Sequence, residues 1–466
     1  METPARTEPA SQSTPSQPTL IRGLSLMDSI LLMVGGIIGS AIWLTAGQIA
    51  DEVRQPSLFL LVWVAGGFIS LLACFAVAEL GAMYPEAGGQ YVYLREAYGE
   101  FPAFLFGWMN FSVGNSGSVA SLCVGFAEYT GKFLPFADAH SAVLRLPHFT
   151  LTRGDIVAVL AITALTVVNI LGLRRGAVLQ NVATWLKFGA IVIFVGLGFT
   201  IGHGAWSHYT AAASEPVSGS VLSAMGVALI AVFWAYDGWV YVTWVAGEVK
   251  NPQRTLPRAT VGGIIVVAAV YVTLNMVYLY ALPMTAMAKE TTIAQAAAAV
   301  MFSPGAARWL SAVIAVSCFG AASTAIMTGA RVYYAMAQDK LFFRRLAEVH
   351  PRWRTPALAL ALQGVWSAIL AVSGRYDQLF TYVMFGMVLS YLATVAALFV
   401  LRRKRPDLPR PYRCTGYPFL PALYLLLAGA YAINAAWQRP QEALAGTCII
   451  LLGVPGYLYW RREARR

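Results

Sequence analysis

Charge is what this sequence has least of. Asp, Glu, Lys and Arg make up 12% of its 466 residues, about half the share of an ordinary soluble domain. A soluble globular protein of this length is therefore excluded. Cysteine is scarce too. Cys74, Cys123, Cys318, Cys414 and Cys448 are scattered, most of them inside apolar runs. They read as small buried hydrophobes, not as a disulfide framework or a zinc site. His140, His148, His203, His208 and His350 show no metal-ligand spacing. The phosphate-cradling pattern of spaced glycines followed by Lys and then Ser or Thr is missing, which argues against an ATP-driven machine. No nucleophile–base pair sits on a recognisable scaffold, so a membrane enzyme is the weaker class, and neither a cofactor nor a metal is expected. The opening residues lack the apolar stretch of a signal peptide. Their Pro, Ser, Thr and Gln content predicts a disordered tail over residues 1–22.

What the chain does have is hydrophobic length. Fifty-eight per cent of its residues are apolar, and they fall in runs long enough to cross a bilayer. The runs predict twelve spans: 25–51, 57–83, 99–130, 153–173, 182–204, 219–247, 259–283, 308–338, 357–373, 376–402, 417–436 and 441–460. An even number puts both termini on one side. With the N-terminus inside, the tails and inner loops hold 23 of the 33 Lys and Arg residues and the outer loops hold 8, while Lys187 and Arg331 fall within spans. That bias places both termini in the cytoplasm of a cell-membrane protein. It also accounts for the net charge of +11 without a nucleic-acid partner. The expected fold class is an all-α integral membrane protein, one transmembrane unit over 23–466 surrounded by the lipid bilayer. Its parts are one five-span unit over 25–204, a second over 219–402 and an extra pair over 417–460.

Spans one and six do not suit unbroken helices. Span one contains Gly35-Gly36-Ile37-Ile38-Gly39-Ser40, and each glycine weakens a helix by about 1 kcal/mol relative to Ala. Helix packing through small residues is the plain alternative for that segment. Span six contains Trp234-Ala235-Tyr236-Asp237-Gly238-Trp239, and a carboxylate in mid-membrane is costly enough to be a functional signal. Span six opens the second five-span unit. Matching interruptions in spans one and six are what an inverted repeat predicts, with a solute site at the breaks. Free amides at the second half of span one suit a carboxylate, and free carbonyls at the other broken ends suit an ammonium. A zwitterionic amino acid fits both. A channel is a third class, separated from a carrier by flux that does not saturate.

These residues resemble the amino acid–polyamine–organocation superfamily, and within it the L-type amino acid transporter family and its bacterial members. The similar segments are GGIIGSAI from Gly35, AELGAMYPEAGGQYVYLREAYG over residues 78–99, the break at Trp234–Trp239, GEVKNPQRTLPRA over 247–259 and GARVYYAMAQDKLFF over 329–343. The resemblance implies the LeuT fold, two inverted five-helix repeats plus two further helices, and sodium-independent exchange of neutral L-amino acids by alternating access. By position it implies a pocket of Ile37, Gly39, Ser40, Ala41, Trp234, Ala235 and Asp237, with Trp234 as the outer gate. Ala41 stands where the family usually has Gly, and Asp237 where human members have a small residue. Asp237 either reaches a substrate amine or holds unwound backbone, which keeps cationic amino acids and amines open as substrates.

Lys187, in the span-five run Gln-Asn-x-x-Thr-x-x-Lys, reads as a snorkelling lysine some 8–10 Å from the inner end. The resemblance instead implies an ammonium standing in a sodium site, with Ser323 as its span-eight partner. If Lys187 released its proton during the cycle, proton symport would follow. Human members join a heavy chain through a cysteine in the loop after span three. Residues 131–152 contain none, so no disulfide-linked partner is expected. Glu248 with Lys250, Arg254 and Arg258 reads as an inner-gate or loop ion-pair cluster, and Asn110, Ser112 and Asn115 as helix–helix bonds ahead of pocket lining.

Overall fold

The computed structural model describes residues 19–465 except 135, 137, 147–148, 212–219, 375 and 439. Most of the predicted tail, residues 1–18, and the first residue of the second unit therefore lie outside the described residues.

Length and apolarity decide the spans. Among the described residues, eight helices are long and apolar enough to cross a membrane, and a bent pair makes a ninth. The eight are Pro56–Met83, Arg153–Ile170, Leu173–Thr200, Pro252–Ala281, Pro304–Gln338, Met384–Lys404, Phe419–Gln438 and Pro440–Arg465. The bent pair is Leu26–Ile37 and Ala41–Val53, inclined at 45°. The other three expected spans are short or interrupted. Span three is Glu100–Met109 and Asn115–Phe133 joined through a π-helical turn at Asn110–Gly114. Span six is Val221–Ala235 followed, after a turn, by Tyr241–Trp244. Span nine, Ala357–Val372, has only 16 residues.

Spans five and seven begin earlier than their apolar runs suggest. Span five starts at Leu173 and takes in Arg174, Arg175 and Gln180. Span seven starts at Pro252 and takes in Arg254, Pro257 and Arg258. Proline suits a helix's first turn because its missing N–H is not needed there.

The two five-span units lie face to face. Span two packs along span seven, span three along span eight, and span four along span nine. Pairing of spans two and seven, three and eight, and four and nine is the contact pattern an inverted repeat implies. Span eight is the most buried. Its small residues Gly320, Ala321, Ala322 and Ala325 let neighbouring backbones approach closely.

The loop motifs meet at one end of the bundle. Gln90–Tyr98, expected as loop, is a helix. Its Arg95 forms a two-pronged bond to Asp339 at 2.8 and 2.9 Å, and the Tyr91 hydroxyl donates to the same carboxylate at 2.8 Å. The Gly88 amide donates to the Trp244 carbonyl at 2.9 Å. Gly88 has φ +110° and Gly89 has φ +47°, so this approach is made where side chains are disfavoured. Glu248 pairs with Arg331 of span eight at 2.7 and 3.0 Å, both groups fully buried. This corrects the expected cluster of Glu248 with Lys250, Arg254 and Arg258. A buried carboxylate needs a buried, hydrogen-bonded cation, and Arg254 and Arg258, within the first turns of span seven, remain in solvent.

Candidate functional site

Both breaks have a local cause. Span one runs helically through Gly35 and Gly36 to Ile37 and opens at Ile38–Ser40. A Cβ on Gly36 would sit 2.7 Å from the Tyr241 ring and 2.9 Å from Thr324. One on Gly35 would collide with Thr184 and Gln180. The small-residue packing reading therefore describes Gly35 and Gly36, and the break lies just beyond them. In span six the helix ends at Ala235, and Gly238 turns the chain at φ +105°, a conformation glycine adopts without cost.

The breaks border one small cavity of ≈ 50 Å³. Ile37, Gly39, Ser40, Ala41, Trp234 and Asp237 all line it. Ala235 does not; it is fully buried, and its carbonyl accepts from Tyr271. Gly36, Tyr241, and Ser118, Ser121 and Leu122 of span three complete the walls. Asn110, Ser112 and Asn115, earlier in span three, do not line the cavity. Asn115 and Asn110 make the helix–helix bonds expected of them, Asn115 donating to the Ala325 carbonyl and the Asn110 carbonyl accepting from Tyr333, while Ser112 donates to the Met109 carbonyl of its own span. Ser40 starts the second half of span one with no side-chain cap bond, so the first amides of that half are available to an anion. Asp237 lines the same cavity, and its carboxylate accepts a hydrogen bond from the Tyr391 hydroxyl of span ten. The cavity thus offers amides on one wall and a carboxylate on another. Its volume is small against roughly 300–1,000 Å³ for pockets that take drug-sized ligands. A small solute suits it, and a larger one requires the walls to separate.

Behind the break, span five is bonded to span one through one face. Asn181 donates to Asp28 at 2.6 Å, Gln180 to the Leu31 carbonyl at 2.6 Å, and the Lys187 ammonium to the Gly35 and Ile38 carbonyls at 2.7 Å each. Positions i, i+1, i+4 and i+7 share a helical face, which is why these polar residues meet one partner. The earlier start of span five, at Leu173, puts Lys187 about 21 Å from the beginning of its helix, not the expected 8–10 Å. Lys187 is fully buried, so it does not snorkel. Its bonds do not include Ser323, which instead accepts from Asn169 at 3.4 Å. The span-eight residue beside the ammonium's acceptors is Ser317, which donates to the Ile38 and Gly39 carbonyls at 3.0 and 3.1 Å. On the other side, the Tyr271 hydroxyl of span seven lies 3.0 Å from the Ile37 carbonyl and 2.9 Å from the Ala235 carbonyl. One side chain thereby spans both breaks.

A multi-pass helical membrane protein whose two broken helices face a small polar cavity has the build of a secondary transporter. The chain belongs to the amino acid permease family, which it matches over residues 24–454. It is 29% identical to the serine/threonine exchanger SteT of Bacillus subtilis over 94% of this chain and 96% of that one. It is 30% identical to the human b(0,+)-type amino acid transporter 1, covering 95% of this chain and 88% of the relative. The human large neutral amino acids transporter small subunit 2 is 29% identical over 96% of this chain and 82% of its own length.

Ala41 puts a methyl into the cavity wall where the resembled family usually has none. The Ala41→Gly variant is expected to improve inhibition by leucine relative to alanine on the order of tenfold, the worth of about one methyl in a pocket. A competition panel on exchange reads this directly, and an unchanged leucine-to-alanine ratio would remove Ala41 from the specificity argument.

Proposed function

We propose that this protein is a sodium-independent exchanger of small neutral L-amino acids. It resides in the cell membrane with both termini in the cytoplasm, and it works by alternating access without a disulfide-linked partner chain. The observation that carries the reading is the Lys187 ammonium on the Gly35 and Ile38 carbonyls. Carbonyls freed by a broken helix are the groups that coordinate a coupling cation. Here a fixed ammonium occupies them, and Ser317 shares one of them. No further cation is needed for charge balance at the break. The substrate carboxylate lies at the amides of Ser40 and Ala41, and its ammonium faces the carbonyls of the span-six break beneath Trp234.

Counterflow of radiolabelled alanine or serine in proteoliposomes tests this. Saturable uptake that needs an internal amino acid and is unaffected by replacing sodium with choline is the expected result. Uptake that requires sodium, or proceeds from empty vesicles driven by a proton gradient alone, would contradict it.

Asp237 favours a second reading, in which cationic amino acids or amines are carried. Its carboxylate lines the cavity and is held by Tyr391. If Asp237 only anchors the turn, Asp237→Asn keeps the alanine-to-arginine preference. If it reads a second positive charge, that variant loses arginine inhibition about tenfold or more, the worth of one charged hydrogen bond.

A further inference from the structure

The arginines left outside the Glu248 pair stand beside a groove. Arg254 and Arg258 lie one turn apart at the start of span seven and are exposed. Among the described residues neither guanidinium has a hydrogen-bond or ion-pair partner. Glu79, at the same end of the bundle, is already held by Arg402 at 2.6 Å, Arg410 at 3.4 Å and the Cys414 amide at 2.6 Å. The two free arginines border a groove of ≈ 550 Å³ whose other wall is Tyr412 and Thr415, from the segment between spans ten and eleven. One turn further along span seven the lining turns apolar, with Val261 and Gly262 facing Phe75 of span two. A Cβ added at Gly262 would meet nothing within 4 Å, so the floor is open there. A neighbouring depression of ≈ 380 Å³ shares Arg254 and adds Arg22.

The groove is therefore cationic at its mouth and apolar one turn deeper into the membrane-spanning helix. We propose that it holds an anionic phospholipid, with the phosphate on Arg254 and Arg258 and an acyl chain over Gly262, Val261 and Phe75. Two guanidiniums one turn apart match phosphate oxygens through paired N–H bonds. Basic pockets between spans are suited to anionic head groups. A free phosphate would use the arginines and leave the apolar floor to water. A zwitterionic lipid would cover the floor and bring its own cation to the mouth. Only an anionic lipid satisfies both ends. Bound there, it ties the start of span seven to the segment after span ten.

The test measures retained lipid by native mass spectrometry, and thermal unfolding of the detergent-solubilised full chain with added phosphatidylglycerol, phosphatidylcholine or inorganic phosphate. Wild-type protein is expected to keep phosphatidylglycerol and to be stabilised by it alone. The double variant Arg254→Gln/Arg258→Gln is expected to bind it about thirtyfold more weakly, roughly fivefold per cation. Gly262→Leu leaves both arginines in place and blocks the floor, so it is expected to weaken lipid retention while eluting as a folded monodisperse species. Equal stabilisation by phosphatidylcholine, full stabilisation by inorganic phosphate, or undiminished binding in the double variant would each overturn the proposal.

Discussion

Alanine exchange in proteoliposomes is expected to fall about a hundredfold or more when Lys187 becomes methionine, with the protein still folded. Methionine fills much of the same apolar path but donates nothing. The Gly35 and Ile38 carbonyls then lose a charged donor, each such bond being worth roughly 1.5–3 kcal/mol, and tenfold in rate corresponds to about 1.4 kcal/mol. The two losses are unequal. Ser317 still serves the Ile38 carbonyl. Among the described residues the Gly35 carbonyl has no such second donor, because the Gly39 amide one turn on bonds to Ile37 instead. Thermal unfolding and gel filtration of the same variant check the fold. Exchange at the wild-type rate in a folded Lys187→Met protein would remove the ammonium from the mechanism. Recovery of activity by added sodium would show the opposite, that the oxygen cage accepts a metal cation once the ammonium leaves.

The second large effect is on stability. Glu248→Ala strands the Arg331 guanidinium in a site with no solvent exposure, and breaking a buried pair from one side costs roughly 3–5 kcal/mol. The variant is expected to express poorly and unfold at markedly lower temperature in detergent. Replacing both partners by apolar groups, Glu248→Leu with Arg331→Met, is expected to recover most of the lost stability, because no buried charge remains. If the single and double variants unfold together at the wild-type temperature, the pair is dispensable.

Membrane character was legible because hydrophobic runs and scarce charge are one-dimensional signals. So were the two breaks, since clustered glycines and a lone acid stand out in an apolar run. Six of the seven pocket residues implied by the family resemblance line the cavity. The exception, Ala235, turns its carbonyl to Tyr271. What the sequence hid has several causes. In span three, Asn110, Ser112, Asn115, Ser118 and Ser121 place small polar groups around the helix, so composition cannot say which face meets the cavity. Tyr271 and Tyr391 sit in apolar runs, where a phenol reads as core until its hydroxyl is seen to have a partner. Long-range pairs were equally silent: Glu248 and Arg331 are 83 positions apart. The start of span five was misplaced because Arg174 and Arg175 interrupt the apolar run, although their helix continues through them.

Tyr271 lies within bonding distance of two carbonyls, one from each broken helix, yet a phenol carries a single proton to give. At any instant one acceptor is served and the other waits. Should the first half of span one swing away, the hydroxyl turns to Ala235 and remains satisfied; should the first half of span six withdraw, it turns to Ile37. With an acceptor on each broken helix, the buried hydroxyl needs only one of them to stay bonded.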